Sequence, residues 1–274
     1  MNFLVTAGNT QAPIDRVRCL TNIFTGRTGT QIALHALERG HTVTLFTSHP
    51  EVVEAFRPAV SLPRERWSVF PYRTFDDLHE RMGQSIRQGR LDAVIHSAAV
   101  SDYLAAGTYA PAEGTRFRPE EGTWEGPPDT PARLVNATAA KVRSDAPELW
   151  LRLVRAPKLV DLVRPVWGFR GVLVKFKLEV GISEEELLAI AERSRRHSGA
   201  DLMVANTLEG IRDWAYLGPL GTGPEKGSDP LNAKGSDPFS GPVWAGRYRR
   251  LIRMEMPVRL LDAVERLHEE KAHG

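Results

Sequence analysis

Residues 20–29 read LTNIFTGRTG, and this stretch decides how the rest of the chain is interpreted. It places Gly26 and Gly29 three residues apart, and an amphipathic run that ends at Gly40 follows directly. The pattern indicates a loop that turns into a helix. The first backbone N–H groups of a helix have no internal partner, and glycine lets an anion approach them closely. The stretch therefore predicts either a phosphate-binding loop or a polar helix start without a ligand, because it matches neither GxGxxG nor GxxxxGK[ST].

Predicted strands flank this loop in the sequence. Residues 3–7 are a short apolar run that ends at Gly8-Asn9-Thr10, and residues 41–47 form a second run after the helix. Strand, helix and strand make a βαβ unit with a right-handed crossover. Ligands of open α/β sheets bind beyond the carboxyl ends of the strands, so the turn at 8–10 is a candidate site. The second strand ends in Thr47-Ser48-His49, without the acidic residue that an NAD enzyme usually carries there.

Strands and helices alternate along the rest of the chain. We predict further strands at 67–72, 92–100, 148–154, 171–179, 200–206 and 249–254, and helices at 74–88, 159–163, 183–197 and 257–271. This alternation predicts an α/β fold with a largely parallel sheet. Lys175 and Lys177 share one face of their strand, so that face is either solvated or directed at an anion.

Three segments interrupt the alternation. Residues 11–20 and 107–140 are predicted to be loops, and the second, rich in glycine and proline, is long enough to act as a flap. Residues 218–241 are expected to be a flexible low-complexity insertion, in which KGSDP occurs at 226–230 and again at 234–238. We therefore expect a single domain over residues 1–274 with a flap, an insertion and a small β excursion.

Composition argues against several classes of protein. The 274 residues are 42% hydrophobic and 26% charged, and the net charge of +2 gives no sign of nucleic-acid or membrane binding. Cys19 is the single cysteine, which excludes an internal disulfide and suits a reducing compartment. Neither a spanning helix nor a signal peptide is recognisable. We therefore expect a cytoplasmic protein.

Small residues end the predicted strand at 92–100. The sequence there is Ser97-Ala98-Ala99, and Asp102 follows shortly afterwards. Small side chains leave backbone exposed to a flat ligand such as a nucleotide base. Asp102 either holds a metal or a hydroxyl group or caps a turn, and the residues alone leave both interpretations open.

Six stretches, taken together and in order, resemble one family. They are VTAGNTQAPIDRVR at 5–18, TNIFTGRTG at 21–29, SAAVSDY at 97–103, LRLVRAPKLVDLV at 151–163, KFKLEVG at 175–181 and ADLMVANTLEG at 200–210. On these motifs the chain resembles phosphopantothenoylcysteine synthetase, the phosphopantothenate–cysteine ligase of coenzyme A biosynthesis. The FKLE and VANTLEG motifs look closer to the stand-alone eukaryotic type than to the bacterial form fused to a flavin-dependent decarboxylase.

The resemblance implies a Rossmann-like, three-layer fold and a homodimer. It also implies a reaction in which CTP or ATP activates the carboxylate of 4′-phosphopantothenate as an acyl-nucleotidylate, with loss of pyrophosphate. The amine of L-cysteine then attacks to give an amide. The implied cofactor is Mg²⁺, held mainly by the nucleotide, and the implied partners are these small molecules.

The resemblance also assigns roles to individual residues. Asn22 aligns with the family's catalytic asparagine, and Lys141 aligns with the first lysine of a KxKK segment on a mobile flap. The residues expected to bind nucleotide or substrate are Gly8, Asn9, Thr10, Thr25, Gly26, Arg27, Gly29, Ala98, Ala99, Asp102, Phe176, Lys177 and Asn206.

The sequence departs from the family at the flap. The KxKK segment reads Lys141-Val142-Arg143-Ser144, so one lysine is kept, and arginine is not an equivalent point charge. This loss leaves open a non-catalytic homologue that binds nucleotide or a pantothenate derivative. A third interpretation is an NAD(P)-dependent reductase, against which the absence of GxGxxG and of a Tyr-x-x-x-Lys pair counts.

Overall fold

The computed structural model describes residues 1–56, 65–221 and 247–273. In chain order its strands are β1 (Asn2–Ala7), β2 (Gln11–Pro13), β3 (Cys19–Thr21), β4 (Thr42–Thr47), β5 (Trp67–Pro71), β6 (Ala93–His96), β7 (Tyr103–Pro111), β8 (Arg116–Arg118), β9 (Thr123–Glu125), β10 (Leu134–Asn136), β11 (Trp150–Arg155), β12 (Val172–Glu179), β13 (Leu202–Thr207), β14 (Trp214–Gly218) and β15 (Arg249–Ile252). The helices are α1 (Arg27–Glu38), α2 (Pro50–Phe56), α3 (Phe75–Arg87), α4 (Leu159–Leu162), α5 (Glu184–His197) and α6 (Met256–His273).

Eight strands form the central sheet, in the order β15-β14-β13-β12-β6-β1-β4-β5. The six strands from β13 to β5 are parallel, while β14 runs antiparallel to both β13 and β15. The chain adds β4 and β5 on one side of β1 and then returns to add β6 on the other side. Strand order therefore reverses between β1 and β6, and ligands of such sheets bind at the carboxyl ends beside this switch point.

Helices cover both faces of the sheet, which makes three layers. α1 and α6 pack on one face through a cluster that includes Ile32 and Leu260. α3 and α4 pack on the opposite face through Leu78 and Leu159, and α5 extends that layer over β13. The α/β, Rossmann-like prediction with a largely parallel sheet is confirmed. No helix in the described ranges combines the length and the apolar character needed to cross a bilayer.

Residues 107–140 differ from the predicted long loop. β7 pairs antiparallel with β10 and β11 to form a separate three-stranded sheet, and β8 and β9 form a hairpin. The rings of Phe117, Trp124 and Trp150 pack together with centroids 4.6–5.2 Å apart. Three of these strands contain three residues each, too few to show an alternating pattern among so many glycines and prolines. The excursion is therefore a small β subdomain rather than a flap without strands.

Other predicted segments also need correction. Residues 11–20, expected to be a loop, contain most of the β2–β3 hairpin, in which Ala12 pairs with Leu20. β14 and α2 were not predicted, because each is short and carries no distinct periodicity. The predicted insertion at 218–241 lies outside the described residues from position 222 onward, and so does its KGSDP repeat.

Candidate functional site

Two turns meet at the switch point and form the floor of a crevice. The turn after β1 and the turn after β6 are joined by a parallel bridge between Asn9 and Ala99. The backbone N–H of Ala99 donates to the carbonyl oxygen of Gly8 at 2.8 Å, and the N–H of Thr10 donates to that of Ala99 at 3.3 Å. The structure thus brings together the predicted residues Gly8, Asn9, Thr10, Ala98 and Ala99. We use the name switch-point crevice for the space above residues 8–10 and 97–99.

Two glycines let α1 begin directly against this floor. Gly26 has a φ of +82°, and a Cβ there would lie 2.2 Å from the backbone nitrogen of Gly8. A Cβ on Gly29 would lie 2.4 Å from Ser97 Oγ and 2.8 Å from Ala7 Cβ. Any larger residue at either position would force the helix away from the turns. The two glycines of LTNIFTGRTG are therefore needed for the start of α1 to lie close to the turns after β1 and β6.

The first turn of α1 is open to an anion. Its N-cap is Gly26, which makes no side-chain capping bond, and the turn contains no acidic residue. By contrast, capping boxes close the starts of α3 and α5, made by Thr74 with Asp77 and by Ser183 with Glu186. Unpartnered N–H groups and the positive end of the helix dipole favour negative charge. This helix start has room for negative charge, and the phosphate-loop interpretation stays a prediction.

Asn22 is held at the edge of the crevice floor. Its side-chain Nδ2 donates to the carbonyl oxygen of Ala99 at 2.9 Å, and its own carbonyl oxygen accepts from Asn9 Nδ2 at 2.6 Å. Asn9 is positioned in turn by Ser48, whose Oγ accepts from the Asn9 backbone N–H at 2.9 Å. Nδ2 carries two hydrogens, and one of them is committed to Ala99. The second N–H and the side-chain oxygen of Asn22 have no hydrogen-bond partner among the described residues and can serve a ligand.

Thr10 and Asp102 lie on the far side of the floor. Thr10 is fully buried, and its Oγ1 accepts from the Ser101 backbone N–H at 2.8 Å. Asp102 is exposed, and its backbone carbonyl accepts from Ala156 N at 2.8 Å. The structure therefore gives the carboxylate of Asp102 no capping role among the described residues, and it remains free for a ligand beside the crevice.

A latch on the loop of the β2–β3 hairpin holds the segment that carries Lys141. Asp15 Oδ2 accepts from the backbone N–H of Val142 at 3.0 Å and from Arg18 Nη2 at 2.7 Å. Arg18 Nη2 also donates to the Val142 carbonyl oxygen at 2.8 Å, and Arg16 N donates to the Ala140 oxygen at 3.0 Å. Hydrogen bonds from Arg18 and then from Val142 hold the pKa of Asp15 well below its usual range. Lys141 itself is exposed on this docked segment.

The strand residues Phe176 and Lys177 lie on opposite faces of β12. Phe176 packs against the core under α1, whereas Lys177 lies on the other face and pairs with Glu179 at 2.9 Å. Asn206 is buried near the end of β13, two residues beyond Val204, so it shares the α1 face with Phe176. Of these three predicted residues, Phe176 and Asn206 therefore share the face on which α1 begins.

Two predicted loop residues are placed less centrally. Thr25 is exposed in the loop before Gly26. The guanidinium of Arg27 lies over the ring of Phe56, 4.7 Å from its centroid, which is a cation–π contact. Arg27 is thus the first residue of α1, with its side chain turned toward α2.

Lys175 is neither solvated nor directed at an anion. It is buried, and its Nζ donates to Ser194 O at 3.0 Å and to Ser198 Oγ at 2.9 Å, at the carboxyl end of α5. The negative end of the α5 dipole stabilises the positive charge of Lys175, and the sequence pattern gave no sign of this contact. Burial lowers the pKa of Lys175 to about 8. Burial, and secondly the charge of Lys175, lower the pKa of the neighbouring His96 to about 4.

Sequence reasoning missed several residues that build the site. Ser48 holds Asn9, and Asp15 with Arg18 holds the Lys141 segment. All three make contacts between positions far apart in the chain, which no local pattern reports. The one available signal was their presence at strand ends or inside the VTAGNTQAPIDRVR stretch.

The fold and the crevice define a Rossmann-like α/β domain in which a glycine-containing loop and the uncapped start of α1 lie at the switch point. Residues 1–111 match the family described as DNA/pantothenate metabolism flavoprotein C-terminal domain. The chain is 29% identical over 265 residues to the coenzyme A biosynthesis bifunctional protein CoaBC of Thermococcus kodakarensis, covering 96% of this chain and 51% of that protein. It is 28% identical over 207 residues to CoaBC of Escherichia coli, covering 75% of this chain and 41% of that protein.

Two solved structures resemble the whole chain. The DNA/pantothenate metabolism flavoprotein from Streptococcus pneumoniae matches with a TM-score of 0.66 and 26% identity, over 100% of both chains. A Cab2 mutant in complex with phosphopantothenate-cysteine shares the fold, with a TM-score of 0.61 and 15% identity over 99% of this chain and 88% of that one. The family model, the CoaBC relatives and the Streptococcus pneumoniae structure confirm the family resemblance drawn from the sequence motifs. The chain spans about half the length of the first CoaBC relative.

Proposed function

We propose that this protein joins 4′-phosphopantothenate to L-cysteine, using a nucleoside triphosphate, in coenzyme A biosynthesis. The observation that carries the proposal is the convergence of Asn22, the 8–10 turn and the 97–99 turn at one switch-point crevice beside the open start of α1. Similarity to CoaBC proteins and the Cab2 complex with phosphopantothenate-cysteine support it by resemblance.

The chemistry needs what this crevice offers. A carboxylate becomes an acyl donor when its oxygen attacks the α-phosphate of the nucleotide and the bond between α- and β-phosphates breaks, with the electron pair leaving on pyrophosphate. Negative charge then accumulates on the phosphates, which the first turn of α1 can stabilise. The cysteine amine next attacks the activated carbonyl carbon, loses its proton and expels the nucleoside monophosphate.

Individual residues take distinct parts in this proposal. The second N–H of Asn22 Nδ2, whose first N–H is fixed to Ala99, donates to the oxygen of the activated carbonyl and orients it. Ala98 and Ala99 offer backbone to the base, and Gly26 with Gly29 let the phosphates approach α1. Lys141, on the segment latched by Asp15, supplies a cation from the exposed side of the crevice. Phe176 and Asn206 lie under the nucleotide on the α1 face, and Lys177 acts from the opposite face.

Mg²⁺ is expected to be held mainly by the nucleotide phosphates. The described residues contain no group of three or more His, Cys, Asp or Glu side chains placed to bind a metal ion. Mg²⁺ commonly keeps several waters and takes one or two carboxylates plus substrate phosphates. Asp102 is the acidic residue at the crevice edge that could supply such a ligand, and the ion would neutralise charge on the phosphate chain.

The choice between CTP and ATP and the oligomeric state are further parts of the proposal. The family resemblance leaves either nucleotide open, and it implies a homodimer. The excursion sheet supports a dimer, because its strands expose large apolar side chains, among them Val135 at 54% and Leu153 at 43%. Light scattering coupled to gel filtration is expected to give twice the chain mass of 30.5 kDa, and Val135→Glu is expected to shift it toward a monomer.

Asn22→Asp tests whether the site is catalytic or only binds. We expect this variant to bind nucleotide as the parent does and to lose amide formation, because a carboxylate repels the acyl-phosphate oxygens that an amide would orient. Nucleotide binding is measured by calorimetry and amide product by mass spectrometry. Asn136→Asp, an exposed residue on β10, is the matched control and should leave both quantities unchanged. A parent chain that binds nucleotide but makes no product would favour the non-catalytic homologue instead.

A further inference from the structure

Arg253 reaches the start of α1 from the other end of the chain. β15 runs parallel to β13, because both pair antiparallel with β14, so β15 ends at the carboxyl edge of the sheet. Arg253 follows immediately, and its backbone N–H donates to the Asp213 carbonyl oxygen at 2.8 Å. Its guanidinium Nη2 donates to the hydroxyl of Thr28, the second residue of α1. A cation therefore lies against the first turn of the helix that faces the crevice.

The surroundings of this guanidinium lack a negative charge. The side chain is largely buried, and burial lowers the pKa of Arg253. Among the described residues no carboxylate forms an ion pair with it, whereas the part-buried Arg39 pairs with Asp262 and Glu265, and Arg164 pairs with Asp201. A desolvated charge without a counter-charge is costly, and the cost falls when an anion binds beside it.

No acidic residue of α1 offers that counter-charge. The first turn of α1 contains none, and its N-cap makes no side-chain capping bond. The guanidinium and the open N–H groups therefore both belong to the first turn of α1 and its immediate contacts. Arginine binds phosphate oxygens through paired N–H groups, so an anion there could be held by both the helix start and the side chain.

We propose that Arg253 binds the polyphosphate chain of the nucleotide at the first turn of α1. The inference rests on the proposed function, since it takes the triphosphate as the anion. When the bond between α- and β-phosphates breaks, the charge gathered on pyrophosphate is met by this guanidinium. Arg253 thus supplies a cation that the altered flap, which keeps Lys141 alone of its lysines, does not.

Substitution at Arg253 separates the charge from the hydrogen bond. Arg253→Gln keeps a donor toward Thr28 but removes the charge, and Arg253→Lys keeps the charge. Arg249→Gln, on the exposed side of β15, is the matched control. Calorimetry measures the dissociation constants of CTP and ATP with Mg²⁺, and of CMP and AMP, for each purified full-length variant.

We expect Arg253→Gln to raise the dissociation constant of the preferred triphosphate by about ten- to a hundredfold, as for loss of one charge-assisted contact. The dissociation constant of the monophosphate should change by less than about threefold. Arg253→Lys should retain most of the parent's affinity for the triphosphate. Unchanged triphosphate binding in Arg253→Gln would overturn the assignment. Equal losses of affinity for the triphosphate and the monophosphate would also overturn it, and Arg253 would then only stabilise the position of α1. If the parent chain binds neither triphosphate, the proposed function fails first and this inference fails with it.

A second measurement needs no variant. Phenylglyoxal modifies accessible guanidinium groups, and mass spectrometry gives the rate for each arginine. Saturating triphosphate is expected to slow the modification of Arg253 and to leave that of Arg249 unchanged. Equal rates at Arg253 with and without a triphosphate that demonstrably binds would contradict the proposal, even if Arg253→Gln does not fold.

Discussion

At the scale of single residues, the close approach of α1 to the crevice floor depends on Gly26. Gly26→Ala places a Cβ 2.2 Å from the Gly8 nitrogen and strains a backbone with φ +82°. We expect a loss of unfolding free energy of about 2–4 kcal/mol, together with weaker nucleotide binding. The control Gly122→Ala also has a positive φ but no atom within 4 Å, so it should cost about 1–2 kcal/mol and leave binding intact. If urea unfolding gave equal losses of unfolding free energy for the two substitutions, the close contact at Gly26 would not be the cause of its effect.

His96 makes stability depend on pH in a defined window. Its pKa is about 4 in the folded chain, against an ordinary value of 6.5, because burial disfavours the charged ring. The unfolded state therefore binds more protons between these values, and stability falls as pH is lowered from 6.5 toward 4. Between pH 7 and pH 5 the loss from this group should be about 2 kcal/mol.

The variant His96→Asn isolates that contribution. Asn can keep a hydrogen bond to Thr6 Oγ1, which lies 2.9 Å from His96 Nδ1, but it does not titrate. Urea unfolding at pH 7, 6 and 5 should therefore give a flatter profile for the variant than for the parent. Parallel profiles would show that His96 does not stay neutral in the folded protein. The range stops at pH 5 because carboxylates such as Glu192, whose pKa is lowered to about 2, begin to lose their contribution below pH 4.5.

At the scale of elements, the latch between the β2–β3 hairpin and residues 139–142 is open to direct test. Asp15→Asn removes the charge that holds Arg18 and weakens the acceptor of the Val142 N–H. Hydrogen exchange should become faster at Arg16 and Val142, and Lys141 should be held less firmly. Asp145→Asn is the control, because its ion pair with Arg143 is exposed and touches neither segment. Unchanged exchange in Asp15→Asn would mean that the segment is held by other contacts.

Elements with long periodic patterns could be predicted from the sequence. α3, α5 and the six parallel strands were found because apolar periodicity and capping residues such as Ser183 are local signals. A small β excursion was expected and its strand β11 was predicted, but β7 to β10 were not located. Three of these four strands contain three residues each, and pairing such as that of Tyr109 with Trp150 joins positions about forty residues apart. Within the site, motif resemblance located Asn22 and the glycines. The roles of Ser48, Asp15 and Lys175 depend on tertiary partners and could not be predicted.

At the scale of the whole molecule, the residues assigned to the candidate site come from distant parts of the chain. Asn22 and the first turn of α1 come from the amino-terminal third, the Lys141 segment from the middle, and Arg253 from the residues before α6. Because β14 runs antiparallel to both β13 and β15, β15 ends at the carboxyl edge of the sheet, where Arg253 lies. The proposed ligase reaction uses three substrates, and the donors and cations assigned to it come from these three parts of the chain.

The most direct test of the central claim is pyrophosphate release by the purified protein. The assay contains 4′-phosphopantothenate, Mg²⁺ and either CTP or ATP, with and without L-cysteine. We expect release with one nucleotide, dependence on 4′-phosphopantothenate, and amide product once cysteine is added, which would also identify the base. Absence of release with both nucleotides, from a chain that is folded and binds nucleotide, would contradict the ligase assignment.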